Sequence, residues 1–312
     1  MADDLVDGLA AVLGAAEITG LARLSGGASR DTWRFEADGQ PLIVQCRRRG
    51  DVRDMSVEIA AVRAAAAAGV PAATIVAASA EPADLGASYM ILTRVAGETT
   101  PRKILRDDNF EQARTLLPAQ LATALAGIHA IDPATIPGLA DTDQVAHYRQ
   151  ALDELGEPHP TFELALRWLD ANRPPATGRV VVHGDFRLGN LIVGEAGLRA
   201  VLDWELVHLG DPMEDLGWMC VKSWRFGSTL PAAGLAEYAE LFDAYESAGG
   251  PAVDAAIVHW WEVLGTLKWG VMCVAQANAH LTGATRSHEL AAVGRRVCET
   301  EHDLFLALEG RW

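Results

Sequence analysis

The sequence predicts an α+β protein of two lobes. A small N-terminal unit of five antiparallel strands plus one helix ends near residue 96, and a larger, mostly helical unit covers 97–312. Three observations carry that expectation. Short apolar runs separated by glycine-containing turns crowd the first 96 residues, as strands do. Beyond residue 100 the apolar spacing becomes three and four, as in helices. Between the helical stretches, a strand, a loop and a hairpin interrupt the pattern at 179–205.

Residues 5–16 read as a short helix. LARLSGGASRDTWRFEA (21–37) reads as strand, turn and strand, and QPLIVQCRRR (40–49) as a third strand. An alanine-rich helix over 55–68 is stopped by Gly69 and Pro71, in the order expected at a helix C-terminus. Two further strands follow, near 74–78 and 88–95. Residues 101–130 and 143–172 are largely helical. Val180, Val181 and Val182 form a buried strand, and short apolar strands at 191–193 and 199–203 flank a Gly-Glu-Ala-Gly turn suited to a hairpin. From 212 to the end the spacing is helical again. DANRPPATG (170–178) is a loop within the second unit.

Composition narrows the function. A chain of 312 residues is too long for one small core. Half its residues are hydrophobic and 22% are charged, as in soluble globular proteins. A formal net charge of -16 repels polyanions, so nucleic acid is not an expected partner. The acidity suits plain solubility or a cationic substrate equally. Cys46, Cys220, Cys273 and Cys298 are scattered and form no C-x-x-C pair, which argues against a disulfide framework or a zinc site. The start, MADDLVDGLAAVLG, lacks the basic region of a signal peptide, and no apolar run reaches membrane-spanning length. A cytoplasmic protein without a membrane partner is expected. Lys103, Lys222 and Lys268 are the only lysines, against 23 arginines.

Chemistry concentrates in His183-Gly184-Asp185-Phe186-Arg187-Leu188-Gly189-Asn190. An aspartate, four residues and an asparagine place two polar oxygen donors on one short loop. Asp203 follows Asn190 by thirteen residues, at the far end of the predicted hairpin. Because a hairpin returns its second strand beside its first, Asp203 can come back near Asn190, and two such oxygens can hold Mg²⁺. Asp185 then remains to accept a proton from a substrate hydroxyl. A lone aspartate would be a turn former or a helix cap; the spaced set points to catalysis.

HGDFRLGN followed by VLDWE resembles the aminoglycoside phosphotransferase family, relatives of the protein kinases, whose loop reads H-R-D-x-x-x-x-N. The continuation ELVHLGDPMEDLGW (205–218), the upstream SGGASRDTWRF, the VEIAAVRAAAAAGVP helix and the SYMILTRVAGE strand fall in the family's order, so the likeness covers roughly 18–220. It is closest to the branch that includes kinase domains joined to acyl-CoA dehydrogenase domains; no dehydrogenase domain fits within 312 residues. The resemblance implies a bilobal, protein-kinase-like fold with a nucleotide-binding lobe over 1–96 and a catalytic and substrate-binding lobe over 97–312. It also implies ATP and Mg²⁺ as cofactors, with Asp185 as catalytic base and Asn190 and Asp203 as metal ligands. Arg187 would stabilise charge on the transferred phosphoryl group. His183 joins the catalytic set by holding the turn with hydrogen bonds.

On the nucleotide side, Ser25-Gly26-Gly27-Ala28-Ser29 lies between two strands, where backbone N–H groups could cover phosphates. The lysine that protein kinases carry on the third strand is missing, since the first 96 residues contain none. Arg47 is the first candidate for the phosphate contact and Arg48 the second, with Glu58 of the following helix as its partner. The resemblance makes 89–95 the hinge, with backbone near Thr93 and Val95 meeting adenine. No Walker A sequence is present, which argues against a P-loop enzyme. His129 would satisfy a contact between helices, Asp211 would brace the catalytic loop, and Asp215 would cap or line the site. Trp218, Trp224, Trp260, Trp261 and Trp269 lie in the region that would form the acceptor pocket.

Together these readings describe an ATP-dependent kinase acting on a small-molecule hydroxyl. Aminoglycosides, other antibiotics, choline-like amines and hydroxyacyl thioesters all remain open as acceptors. The missing lysine motivates an alternative, a catalytically weak nucleotide-binding pseudokinase acting through a protein partner. A metal-dependent hydrolase built on His183 and Asp185 would lack the further histidines such sites carry.

Overall fold

The structure is a computed structural model that describes residues 2–24, 30–48, 54–82 and 84–311. After helix α1 (Ala2–Leu13), strands β1 (Ile18–Arg23), β2 (Arg30–Ala37) and β3 (Gln40–Arg47), helix α2 (Met55–Ala67), and strands β4 (Ile75–Ser79) and β5 (Tyr89–Thr93) build the N-terminal lobe. The five strands form one sheet in the order β1-β2-β3-β5-β4, with every neighbouring pair antiparallel.

Strand β5 shows why this sheet needs a helix on each face. Side chains alternate across a strand, yet Tyr89, Met90, Ile91 and Leu92 are all buried. Tyr89 and Ile91 join Phe35, Leu42, Val44 and Leu9 of α1 in one core, whereas Met90 and Leu92 join Met55, Ile59 and Val62 of α2 in the main core. Asp54 caps α2 by accepting from the Ser56 N–H at 2.8 Å, and the helix ends before Gly69, at φ 78°. The predicted first helix lies three residues too late, because Gly14, at φ 62°, takes the left-handed conformation that ends α1.

The C-terminal lobe begins with α3 (Pro101–Arg106), α4 (Glu111–His129), α5 (Gln144–Leu155) and α6 (Pro160–Ala171). The helix expected over 101–130 is interrupted at Asp107, whose extended ψ of 139° separates α3 from a short 3₁₀ turn ahead of α4. Then come β6 (Val180–Val182), the hairpin β7 (Leu191–Gly194) and β8 (Gly197–Val201), and β9 (His208–Gly210), a short strand pairing with β6. The remaining helices are α7 (Met213–Cys220), α8 (Tyr238–Ser247), α9 (Ala255–Leu281), α10 (His288–Val293) and α11 (Val297–Leu308). No helix among the described residues is long and apolar enough to cross a membrane.

The long helix α9 organises this lobe, packing against α5, α6, α7, α10 and α11. Gly265 permits the close approach to α7: a Cβ there would stand 2.8 Å from a Val221 methyl and 3.2 Å from the Trp218 ring. Between the lobes, Glu98 and Val193 exchange two backbone hydrogen bonds, at 2.9 and 3.0 Å, so the chain enters the helical lobe beside the β7–β8 hairpin.

Candidate active site

Strand β6 delivers His183, Gly184 and Asp185 to the cleft through a turn that only glycine can make. Gly184 has φ 79°, and a Cβ on it would lie 2.5 Å from the Leu206 carbonyl oxygen. A single buried carboxylate clamps the turn: Asp215 Oδ2 accepts from the His183 N–H at 2.8 Å, and Oδ1 accepts from the Gly184 N–H at 2.9 Å. His129 Nε2 meets the same carboxylate at 3.1 Å, with its Nδ1 2.6 Å from the Tyr245 hydroxyl. Burial alone would raise the Asp215 pKa, but hydrogen bonding and charge from His129 and the backbone bond from His183 hold it below the usual carboxylate range.

The bracing role expected of Asp211 therefore falls to Asp215, which braces the loop that carries Asp185. Asp211 accepts from the Thr177 N–H and hydroxyl at 2.7 and 2.6 Å and from the Met213 N–H at 2.9 Å, tying a preceding loop to the start of α7.

His183 is fully buried and holds the loop from inside. Its Nδ1 accepts from the Asp185 N–H at 3.2 Å, so Nε2–H is left to donate to the Leu202 carbonyl at 3.1 Å. Burial lowers its pKa, in keeping with this neutral form.

Asp185 is 7% exposed and accepts three hydrogen bonds. Arg187 Nε reaches Oδ1 at 2.9 Å, Trp218 Nε1 reaches Oδ1 at 2.8 Å, and Asn190 Nδ2 reaches Oδ2 at 2.5 Å. Asn190 is fixed in turn: Nδ2 also donates to the Asp185 carbonyl at 3.1 Å, and its own carbonyl accepts from the Leu202 N–H at 2.8 Å. That last bond extends the β7–β8 hairpin by one step and sets Asp203, the next residue, beside Asn190.

Asp203 sits at φ 63°, a left-handed conformation uncommon outside glycine and of the kind that persists at functional sites. It projects into open space that water reaches, although protein walls it in on most sides. That enclosure, followed by the charges of Glu205, Asp185 and Glu58, pushes its carboxyl up to about 7. A carboxylate crowded by others is what a divalent cation relieves, and with Asn190 Nδ2 turned to Asp185, Oδ1 is the amide atom left to join it. Among the described residues no group of three or more His, Cys, Asp or Glu side chains could hold a metal alone. An Asn–Asp pair fits a cation whose other ligands are phosphates and water.

Asp185, Arg187 and Asp203 line one cavity of about 780 Å³ between the lobes. One wall is aromatic. Trp218, Trp224 and Trp269 lie in series, with ring centroids 5.1 and 4.8 Å apart, and the Arg187 guanidinium stands 4.6 Å over the Trp224 ring. Trp260 and Trp261, expected in the same region, pack elsewhere: Trp260 donates to the Leu169 carbonyl at 3.0 Å, and the two rings meet edge to face at 5.0 Å.

The small-lobe expectations fare unevenly. Ser25, Gly26, Gly27 and Ser29 lie outside the described residues. Arg48, the second candidate, lines the cavity with Arg23 and Asp31, and Arg47 does not. Asp31 accepts from Arg23 at 2.5 Å and Arg48 at 3.0 Å. Glu58 pairs with Arg30 of β2 at 2.6 Å, both side chains being 7% exposed. Arg30 stands directly opposite Arg47 in the β2–β3 register, so the guanidinium facing α2 comes from the neighbouring strand. At the expected hinge, the Thr93 N–H already donates to the Thr74 carbonyl at 2.9 Å, and Val95 packs against the main core.

Besides Arg30, the sequence reading missed Lys268 and the bond from Trp218 to Asp185. Lys268 is buried in the middle of α9, donates to the Gly184 carbonyl at 2.6 Å and lies 4.5 Å over the Trp218 ring. Burial would lower its pKa, but Tyr148, Glu214, Asp185 and Asp215 outweigh that and raise it. A signal existed: one of only three lysines in an arginine-rich chain, set within an apolar helix.

A five-stranded lobe over a helical one, with an aspartate-bearing loop and a hairpin aspartate lining the cleft between them, is the architecture of the kinase-like phosphotransferases. Within that class, the sequence model of the phosphotransferase enzyme family, APH, matches residues 20–256, and the chain belongs to that family. A curated relative, acyl-CoA dehydrogenase family member 11 of Gallus gallus, is 26% identical over 214 residues, which cover 62% of this chain and 27% of the relative. The chain spans about a quarter or less of the length of such relatives. Among solved structures, a candidate aminoglycoside phosphotransferase from Ralstonia eutropha superposes with a TM-score of 0.76 at 21% identity, covering 99% of this chain and 98% of that one. A thermostable mutant of aminoglycoside phosphotransferase APH(4)-Ia, in a ternary complex with AMP-PNP and hygromycin B, gives 0.65 at 18% identity, covering 96% and 98%.

Proposed function

We propose that the chain transfers the γ-phosphoryl group of ATP to a hydroxyl of a small molecule. The observation that carries this reading is the Asp185 carboxylate, held by three donors at the edge of a cavity that it shares with Arg187 and Asp203. A base used for transfer must sit in one orientation within hydrogen-bond reach of the proton it takes. Asp185 takes the proton as the acceptor oxygen attacks the γ-phosphorus and the bond from that phosphorus to the departing ADP oxygen breaks. Arg187 lies beside it and offers positive charge to the phosphoryl oxygens. Asn190 and Asp203 would hold Mg²⁺, which would supply positive charge to offset that of the phosphates. Arg48 and Arg23 bring further positive charge to the small-lobe side of the cavity. The AMP-PNP bound by APH(4)-Ia supports ATP as the donor, and hygromycin B in the same complex supports a small-molecule acceptor. A cavity of about 780 Å³ has the size of a small-molecule site.

ADP release, measured with Mg²⁺ and ATP against a panel of hydroxylated acceptors and against water, tests the reading. Asp185→Ala should lower turnover by about 10²–10⁴, the usual scale of general-base catalysis. Near-normal turnover in that variant would exclude Asp185 as the base.

A further inference from the structure

The hydrogen bonds to Asp185 are unequally divided. Oδ1 receives two, from Arg187 Nε at 2.9 Å and Trp218 Nε1 at 2.8 Å, whereas Oδ2 receives one, from Asn190 Nδ2 at 2.5 Å. A carboxylate offers about four lone-pair directions, two on each oxygen. Oδ1 is therefore filled, and Oδ2 keeps one direction open.

We infer that Trp218 is a positioning residue for phosphoryl transfer: with Arg187 it saturates Oδ1 and leaves Oδ2 as the oxygen that receives the acceptor's proton. This rests on the reading of Asp185 as the base. In the step, the acceptor O–H gives its proton to Oδ2, its oxygen forms the new O–P bond, and the bond from the γ-phosphorus to the β–γ bridging oxygen breaks, its electron pair leaving on ADP.

The indole suits that task for three reasons. It has one N–H and no acceptor atom, so it can hold the carboxylate without competing for the hydroxyl's proton. It is 2% exposed, with Trp224 against it at 5.1 Å and Gly265 of α9 close to its edge, so its direction is fixed by packing. It also bears on the backbone of the loop. The Lys268 ammonium stands 4.5 Å over its face and donates to the carbonyl of Gly184, the residue before Asp185, at 2.6 Å. One ring thus supports the base through its side chain and through its main chain.

The test uses two variants of the full chain. Trp218→Phe keeps an aromatic ring and removes the N–H. Incorporation of 3-benzothienylalanine at position 218 keeps the indole outline and replaces the N–H by sulfur, so it covers the case in which the phenylalanine variant folds poorly. For both, kcat of ADP release should fall about 10–100-fold, the scale of a lost hydrogen bond to a charged group, while KM for ATP stays within about twofold. In Trp218→Phe/Asp185→Ala the loss should be no greater than in Asp185→Ala alone, because both act through one carboxylate. Independently of turnover, the indole ¹H–¹⁵N resonance that disappears in Trp218→Phe should move in Asp185→Ala. The inference is overturned by wild-type kcat in the benzothienyl variant, by losses that multiply in the double variant, or by an unmoved resonance. Turnover that depends on Asp185 but ignores the indole N–H defeats this inference alone; turnover indifferent to Asp185 defeats the phosphotransferase reading as well.

Discussion

On the large-lobe side of the cleft, Asp215 is fully buried, with two hydrogen bonds from backbone N–H groups of the turn before Asp185 and a third contact to His129. On the small-lobe side, Asp31 holds Arg23 and Arg48 with side chains that are 36%, 56% and 31% exposed. Both are aspartates gathering two or three donors, and in both the pKa is lowered against the effect of burial. The difference lies in what water can replace. Around Asp31 solvent can take over the bonds; around Asp215 nothing can. The loop that carries Asp185 is thus fixed by buried bonds, whereas Arg23 and Arg48 are held at a face that water reaches.

The same substitution on the two sides tests that contrast most directly. Asp215→Asn presents one oxygen and one NH₂ where two backbone N–H groups each require an acceptor, so His183 or Gly184 is left with a donor facing a donor. Removing a buried charge from such a network should cost about 3–5 kcal/mol, read as a lower midpoint in urea unfolding. Turnover should fall with it even where the variant is folded, since the turn beneath Asp185 loses its clamp. A midpoint near that of the wild type would show that the clamp is dispensable.

Arg30–Glu58 sharpens the comparison by separating burial from location. It lies in the small lobe, yet both side chains are as enclosed as those around Asp185. Arg30→Met would leave Glu58 buried without this partner and should cost about 3 kcal/mol, while the double replacement Arg30→Met/Glu58→Leu should recover much of the loss. Unfolding of the two variants and the wild type at one pH measures this. A single variant as stable as the wild type would mean that the pair contributes nothing to seating α2 on the sheet.

How far the site could be read from sequence follows the same division. The parts that were legible are local. Gly69 and Pro71 stop α2 within a residue of the expected place, and the Gly194–Gly197 turn returns the chain so that Leu202 meets Asn190 and Asp203 follows it. The fold class was legible because strands, glycines and helical spacing are sequence-local signals, and the family resemblance put them in order. What escaped depends on contacts between distant segments. Asp211 and Asp215 are four residues apart and alike in sequence; which one turns under the catalytic loop is decided by where α7 docks against the end of β6, thirty residues away. Lys268 meets Gly184 across 84 residues. Arg47 and Arg30 are opposite one another only once the β2–β3 register is known. Alternation along one strand could propose an arginine for Glu58, but only the pairing of two strands could choose it.

The smallest effect belongs to Asp31→Asn. Burial is the largest influence on Asp31 and raises its pKa, but the hydrogen bonds from Arg48 and then Arg23, with their charges, bring it below the ordinary value. A carboxylate with a depressed pKa adds stability that is fully present above its unfolded value, about 3.9, and is lost as pH falls through the lower folded value. The difference between wild type and variant should therefore be constant from about pH 5 to 8 and vanish only in stronger acid. Its size should stay below about 1 kcal/mol, because more than a third of the carboxylate side chain faces water. It should also shrink in 1 M salt, where the screening length is about 3 Å. Unfolding midpoints for the pair, at low and high salt and across that pH range, decide the matter. A loss of several kcal/mol, or one that salt leaves untouched, would mean that these arginines are locked as firmly as the catalytic turn. The small-lobe face would then be a rigid wall, unable to adjust to the phosphates it is proposed to meet.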